Sequence, residues 1–431
     1  MGIGNRSQLA SSAARETALA LAEAALEAID TGAAIRRHVA LEGEVLRVAG
    51  ESVVLAPPGR VRLVAVGKCA TAAACALARV LGRRLADGVV LDVAGAGAAS
   101  LPGMRVLHGS HPWPSAENVA ATAEILRHLA ETRAGDVVLC VVSGGGSTLL
   151  CLPPEGGSFE AERAVLEVLL RAGATIQEVN TVRKHSSLAR GGRLAIAARP
   201  ARVVGLVFSD VPGGTLDLVA SGPTVCDPST VADARRFLER YGLPGGCGVG
   251  RFPLVETPKE TADFSAVRNV VLVSNELALE AMAAAARRLG WTPEVRTATL
   301  AGEAREVASR VARDLHDVPT GTALLYGGET TVTVRGAGRG GRNTELALAA
   351  LPALRHDELV LTLASDGHDN GELAGAIADA RTRADAERAG ADGEAYLAAN
   401  DAYGFFERVP HALRMGATGA NVADLVVALR G

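Results

Sequence analysis

One three-part phrase recurs along this chain: an apolar, β-branched run, a polar loop with glycine, then an Ala-rich helical stretch. Arg62–Val66 leads into Gly67-Lys68-Cys69-Ala70-Thr71, and Asp136–Val142 into Ser143-Gly144-Gly145-Gly146-Ser147-Thr148. Val203–Phe208 leads into Ser209-Asp210-Val211-Pro212-Gly213, and Asn269–Val273 into Ser274-Asn275-Glu276. Ala323–Tyr326 leads into a long Gly/Arg stretch, and Leu359–Ala364 into Ser365-Asp366-Gly367. Strands that alternate with helices fold as α/β layers with mostly parallel sheets. Loops that follow strands gather on one edge of each sheet, where ligands bind.

The length of 431 residues exceeds one core of ordinary size, so two domains are expected, with three as the upper bound. The Gly/Pro-rich stretch Tyr241–Glu256 lacks pattern and marks the boundary, giving domains of 1–245 and 255–431. Residues 11–40 read as helix broken near Asp30-Thr31-Gly32, Thr330–Val334 as a short strand, and the stretch after Gly419 as a final helix that packs back on the first domain. The net charge of −4 with scattered Lys and Arg argues against nucleic acid. Six cysteines without a Cys-x-x-Cys pair fit a reducing compartment. No apolar run reaches the roughly 18 residues of a membrane span. A cytoplasmic protein with no membrane partner is expected.

Several loops could hold an anion. Gly67-Lys68 stands where a strand meets a helix, the geometry of a phosphate cradle. Neither the three-glycine dinucleotide fingerprint nor the P-loop pattern is present, and a lysine at a helix start is often merely solvated. Ser143, Gly144, Gly145, Gly146 and Ser147 combine glycines with hydroxyls; a tight turn would need only one glycine. Arg335–Asn343, with Gly338, Arg339, Gly340, Gly341 and Arg342, opens a helix; glycines there let a ligand approach the backbone, although a solvated hairpin has the same composition. Arg183 and Lys184 could grip a carboxylate or phosphate or belong to a surface charge run. His111 could bind a substrate acid or stiffen its Pro-rich loop. Asp210 and Asp366 end strands, where metal-binding or general-base carboxylates sit, and the spacing after Asp366 suits a hydrated Mg²⁺ shared with phosphates.

Taken together, Gly67-Lys68, Ser110-His111-Pro112, Ser143–Ser147, Val182–His185, Ser209–Gly213, Ser221–Thr224, Gly327–Thr331, Gly340–Asn343 and Ser365–Gly367 resemble the glycerate 2-kinase family, whose C-terminal half is the MOFRL domain and whose members often carry the label hydroxypyruvate reductase. The resemblance covers almost the whole chain. It implies two α/β domains, the first Rossmann-like, facing across a cleft, and it implies ATP and Mg²⁺. The reaction implied is phosphoryl transfer to the 2-hydroxyl of a small hydroxylated substrate such as D-glycerate. Lys68 and Arg342 match the family's leading functional residues and are expected to meet across the cleft. For such a transfer the glycine loops, with Glu329, Thr330 and Asn343, are assigned to nucleotide or acceptor anions, His111, Arg183 and Lys184 to a substrate carboxylate, and Asp210 and Asp366 to the metal or to orienting the acceptor hydroxyl, with Asp210 also in catalysis. A homodimer is one expectation for the assembly.

The chain also departs from the family pattern. Gly214 and Thr215 replace a pair of aspartates, Arg190 replaces a lysine, Asn370–Leu373 replace Gly-Pro-Thr-Asp, and Ala420 and Ala423 replace Thr and Asn. These changes spare the phosphate loops, so an acceptor other than glycerate is one expectation. The rival readings are an NAD(P)H-dependent hydroxypyruvate reductase, against which the missing dinucleotide fingerprint speaks, and a non-catalytic nucleotide-binding relative.

Overall fold

The strand Val61–Val66 is apolar except for Arg62, whose guanidinium is paired with Asp87 (2.6 Å), and all six of its residues are buried. A strand buried on both faces must lie inside a sheet covered on both sides. In this computed structural model, which describes residues 2–55, 59–95, 101–211, 213, 215–243 and 252–431, it does. Three short strands come first: β1 (Val39–Glu42), β2 (Val45–Val48) and β3 (Glu51–Val54) form an antiparallel meander. The large sheet then takes β4 (Val61–Val66), β5 (Leu85–Val93), β6 (Met104–Gly109), β7 (Val137–Ser143), β8 (Arg202–Phe208) and β9 (Val267–Val273). Its order is β6-β5-β4-β7-β8-β9, and the pairs among β6, β5, β4, β7 and β8 are all parallel. This is the Rossmann order. Successive connections run outward in opposite directions from β4 and β7, which leaves a crevice at their carboxyl ends.

The second sheet holds β10 (Thr292–Leu300), β11 (Thr322–Gly328), β12 (Glu358–Ala364), β13 (Leu373–Asp379), β14 (Ala412–Arg414) and β15 (Asp424–Arg430), in the order β10-β11-β15-β12-β13-β14. From the pairings, β10, β11, β12 and β14 run one way, while β13 and β15 run against them. So two α/β domains are present, the first with a parallel sheet and the second with a mixed one, in which β10–β11 is parallel and the other four pairs are antiparallel.

Two compact units result. The first is Thr31–Ser209 with Gly214–Leu272; the second is Met1–Asp30, Asp210–Gly213 and Val273–Gly431. The expected split at 245/255 differs from this in three places, one of them Asp210–Gly213, which clusters with the second unit. The helix Ala13–Ile29 packs on the helix Asn275–Arg288 and on β12 and β15, so it belongs to the second unit. There Arg15 is fully buried, with its guanidinium on both Asp379 oxygens (2.6 Å each) and on His411 (3.0 Å). At the other end, β9 extends the first sheet beyond residue 255.

Two elements correct the sequence reading. The stretch after Gly419 ends in strand β15, not in a helix, and β15 is the sheet's interior, paired on both edges. Short apolar runs do not distinguish a buried strand from a buried helix. Thr330–Val334 forms no strand. Only a single bridge from Thr331 to Glu303 is made, and the Glu303 carboxylate takes the Thr333 N–H (2.8 Å) and hydroxyl (3.0 Å).

Candidate active site

In the first unit the loops after β4 and β7 are stitched to each other. The Lys68 N–H donates to the Gly144 carbonyl (2.9 Å), and the Ser143 hydroxyl donates to the Val66 carbonyl (3.2 Å) while accepting from the Cys69 N–H (3.4 Å). Gly67 makes this approach possible. Its φ is +118°, and a Cβ there would lie 2.1 Å from the Ser143 oxygen. Gly145, at φ +83°, lies against two other side chains: its Cβ would come 3.2 Å from Cγ of Lys68 and 3.4 Å from Cδ2 of His111. The switch-point loops therefore bring Lys68 and His111 together. Gly146 and Ser147 face inward instead, Gly146 against Ala220 and Ser147 accepting from the Ser221 hydroxyl (2.9 Å).

Asn118, which the sequence did not flag, holds the His111 loop to the glycine loop. Its side chain takes the Ser110 N–H (2.8 Å) and donates to the carbonyls of Ser110 and Thr148 (3.0 Å each). It sits on the helix Ala116–Ala130, where nothing in the spacing marks it.

Arg183 joins this group and Lys184 does not. The charges of Lys68 and Arg183 act on His111, whose pKa is held below the ordinary imidazole value first by burial and then by these two neighbours. The Lys184 ammonium instead sits between Asp217 (2.7 Å) and Asp227 (3.2 Å), as a buried strut. Arg183 has a buried Nε with no partner, and its guanidinium makes no hydrogen bond or ion pair among the described residues. Burial and the charge of Arg190 push its pKa down to about 10. Arg190 is itself fully buried, paired with Glu162 (2.7 Å) and donating to the Arg183 carbonyl (3.1 Å). Lys68, His111 and Arg183 thus stand near one another with no acid in ion-pair or hydrogen-bond contact among the described residues; Glu162 acts on Arg183 through its charge but is itself paired with Arg190. Such a cluster lowers its own repulsion by taking up an anion.

The second unit treats its cations differently. Arg342 opens the helix Arg342–Ala350 and is paired on both sides, with Asp424 (2.7 Å) and with Glu329. Burial alone would lower its pKa, but Asp424, Glu329 and Asp369 together raise it. Burial pushes the Asp424 carboxyl up to about 6, against the pull of Arg342 and Asn343. Asn343 is buried and braces the two acids, donating to Asp424 (2.8 Å) and Asp369 (3.2 Å). Asp369 caps the helix, taking the N–H groups of Asn343 (2.9 Å) and Thr344 (2.7 Å). Sequence reasoning did not assign Asp369 or Asp424 to the site. Each lies far along the chain from Arg342, so no local spacing marks them.

The glycines of the 335–343 loop have a different reason from the one the sequence suggested. A Cβ at Gly336 would lie 2.2 Å from the Ala399 carbonyl oxygen, at Gly338 2.4 Å from Asp401, and at Gly341 2.3 Å from Asp369. They admit the protein's own chain at close range. Most of the loop's N–H groups are also taken: those of Arg335 and Gly336 by the Asn400 side chain, Gly338 by Ala399, Arg339 by Asp401 and Gly341 by Thr344. The loop is therefore a stiff wall rather than a phosphate cradle. It borders a cavity of about 890 Å³ that also touches Thr330, Arg342, His368 and Asn370–Glu372.

Asp366 accepts the His368 N–H (3.0 Å) through one oxygen, and Asp210 is partly exposed after β8. Among the described residues no group of three or more His, Cys, Asp or Glu is spaced to hold a metal. Mg²⁺ needs no such group, since it commonly takes one or two carboxylates and completes its shell with phosphate oxygens and water.

Residues 17–247 match the family described as "Domain of unknown function (DUF4147)", and residues 322–424 match the MOFRL family. The D-glycerate 2-kinase of Thermotoga maritima is 39% identical over 382 residues, covering 86% of this chain and 90% of that one. A crystal structure of glycerate kinase from the same organism superposes with a TM-score of 0.87 at 34% identity, covering 96% of this chain and 99% of the other. The chain belongs to the glycerate 2-kinase family. An Agrobacterium vitis protein named putative hydroxypyruvate reductase is 38% identical over 389 residues, covering 87% of this chain and 88% of that one. Within the glycerate 2-kinase fold the departures from the family pattern fall in separate places. Arg190 is part of the buried pair under Arg183, Thr215 bonds to the Asp217 that anchors Lys184, and Asn370, Gly371 and Glu372 line the cavity of the second unit. Pro212 and Gly214 lie outside the described residues.

Proposed function

We propose that this protein is an ATP-dependent kinase that transfers a phosphoryl group to the 2-hydroxyl of D-glycerate or a closely related small hydroxy acid. The observation that carries this reading is the trio Lys68, His111 and Arg183 at the Rossmann switch point, none of them in an ion pair among the described residues, in a chain of this family. A hydroxy acid brings a carboxylate and ATP brings phosphates, so both reactants need cations, and phosphoryl transfer depends on positioning and charge neutralisation.

His111 and Arg183 take the acceptor carboxylate. Lys68 neutralises charge on the phosphoryl group as it moves. Arg342 is assigned to phosphate charge as well, after exchanging one of its carboxylate partners. The acceptor 2-oxygen forms a bond to the γ-phosphorus, the bond from that phosphorus to the β,γ-bridging oxygen breaks, and the hydroxyl proton leaves to a carboxylate, for which Asp210 is assigned. Asp366, with Asp210, supplies the carboxylates that would hold Mg²⁺, which when bound neutralises phosphate charge.

The test is turnover of purified protein with ATP, Mg²⁺ and a panel of hydroxy acids and polyols, with products read by phosphorus NMR. D-glycerate converting to 2-phosphoglycerate well above the rest supports the reading, and a different preferred acid moves the acceptor. Oxidation of NADH at 340 nm with hydroxypyruvate, without any phosphorylated product, would replace it with the reductase reading.

A further inference from the structure

The cavity of the second unit has more room than a three-carbon acid requires, and its walls have the wrong chemistry for one. At about 890 Å³ it falls in the size class that holds nucleotide-sized ligands, about 300–1,000 Å³. Part of its lining is apolar. Val334 is 73% exposed, a large uncovered side chain for a loop with this much internal bonding, and Val332 lies two residues before it. Another part is flat and cationic: the Arg339 guanidinium rests on the Tyr403 ring, 4.4 Å from its centroid, and is held there by Glu407 (3.0 Å). The backbone N–H groups that would attract a phosphate to this wall are mostly spent on Asn400, Ala399, Asp401 and Thr344. Arg342 lies at the border of the same space.

An apolar patch beside a fixed guanidinium plane suits the π-face of a nucleobase, which every purine or pyrimidine presents. We infer that this cavity receives the base and ribose of the nucleotide, held by Val332, Val334 and Arg339, while its phosphates extend to Arg342. The inference rests on the kinase reading for the identity of the nucleotide, and it assigns the glycine-rich loop to the nucleoside rather than to the phosphates. The wall is preorganised, because Asn400 clamps two of its N–H groups and donates to Glu345 (3.2 Å), so little ordering cost falls on the ligand.

Calorimetry of ADP binding to the full chain tests this, with Val334→Glu, Val334→Ile and Arg339→Ala beside the unaltered protein. Val334→Glu is expected to raise the ADP Kd about 10-fold or more and Arg339→Ala about 5-fold, because a carboxylate or a lost plane removes base stacking; Val334→Ile stays within about 2-fold. The KM for the acceptor at saturating ATP stays unchanged in all three. Normal ADP affinity in both Val334→Glu and Arg339→Ala overturns the inference, and each variant carries the test alone if the other fails to fold. An unaltered protein that phosphorylates its acceptor, with both variants binding ADP normally, leaves the kinase reading standing and removes the cavity assignment. ADP binding that is weakened by the variants in a protein without phosphoryl transfer does the reverse.

Discussion

Lys68 and Arg342 stand at equivalent points of their units, each where a glycine-bearing loop runs into a helix, yet their electrostatic surroundings are opposite. Lys68 shares its neighbourhood with His111 and Arg183, and none of the three has an acid partner among the described residues. Arg342 is held by Asp424 and Glu329, with Asp369 close behind. One region stores unmet positive charge and is ready for an anion. The other already holds more acid than base before any ligand arrives, and its arginine must trade a partner to act. The strength of a cation at a site thus depends less on its own charge than on what already answers it.

The sharpest break of this contrast is kinetic. Lys68→Ala and Arg342→Ala are each expected to lower kcat/KM by about 10³-fold or more if they serve the moving phosphates. A steady-state cycle with the double variant reads their coupling: a loss much smaller than the product of the two would put them on one group. Full additivity would separate the two regions functionally.

Stability should divide the same pair. Arg342→Ala leaves the buried Asp424 without its cation and is expected to cost about 2 kcal/mol, less than for a fully buried pair because Arg342 is more than a third exposed. Adding Asp424→Asn should restore the urea midpoint but not the rate. Lys68→Ala removes a repelling charge and is expected to change stability by less than about 0.5 kcal/mol.

Arg183→Gln is expected to raise the acceptor KM about 10-fold with kcat changed far less, and Arg183→Lys to recover only part of it, because a planar fork grips a carboxylate that an ammonium does not.

The smallest effect concerns pH. Burial, Lys68 and Arg183 hold His111 below the usual imidazole value, so it is neutral at pH 7. An unfolded chain protonates this histidine first, near pH 6.5, so its contribution to stability is lost as pH falls below that value. A bound carboxylate reverses the imbalance and favours the charged ring. The acceptor KM is therefore expected to fall by about 2- to 5-fold on acidification below pH 6.5, and the profile to flatten in His111→Gln.

The sequence carried the first sheet well, because β4, β7 and β8 are continuous apolar runs and each ends in a glycine-bearing loop. Lys68 and the Gly144–Gly146 loop were each marked as anion sites, but their meeting follows from β4 and β7 lying side by side, which no local pattern shows. Lys184 was misjudged because its adjacent partner Arg183 has the same charge, and only the fold shows that one faces the anion cluster while the other is tied to Asp217 and Asp227. The Gly336–Gly341 spacing was visible, but its cause was not: the close neighbours come from Ala399, Asp401 and Asp369, elements that no local pattern connects to it. Thr330–Val334 had β-branched residues without a partner strand, and propensity alone does not make a ladder.

Strand β15 has a further consequence for how the protein is made. It fills the gap between β11 and β12, so residues 322–328 and 358–364 have no shared sheet until residues 424–430 emerge. Synthesis can complete the Rossmann sheet much earlier. The second sheet spends that interval with two strand edges unsatisfied, the period in which a slow ribosome or an absent chaperone would do this protein the most harm.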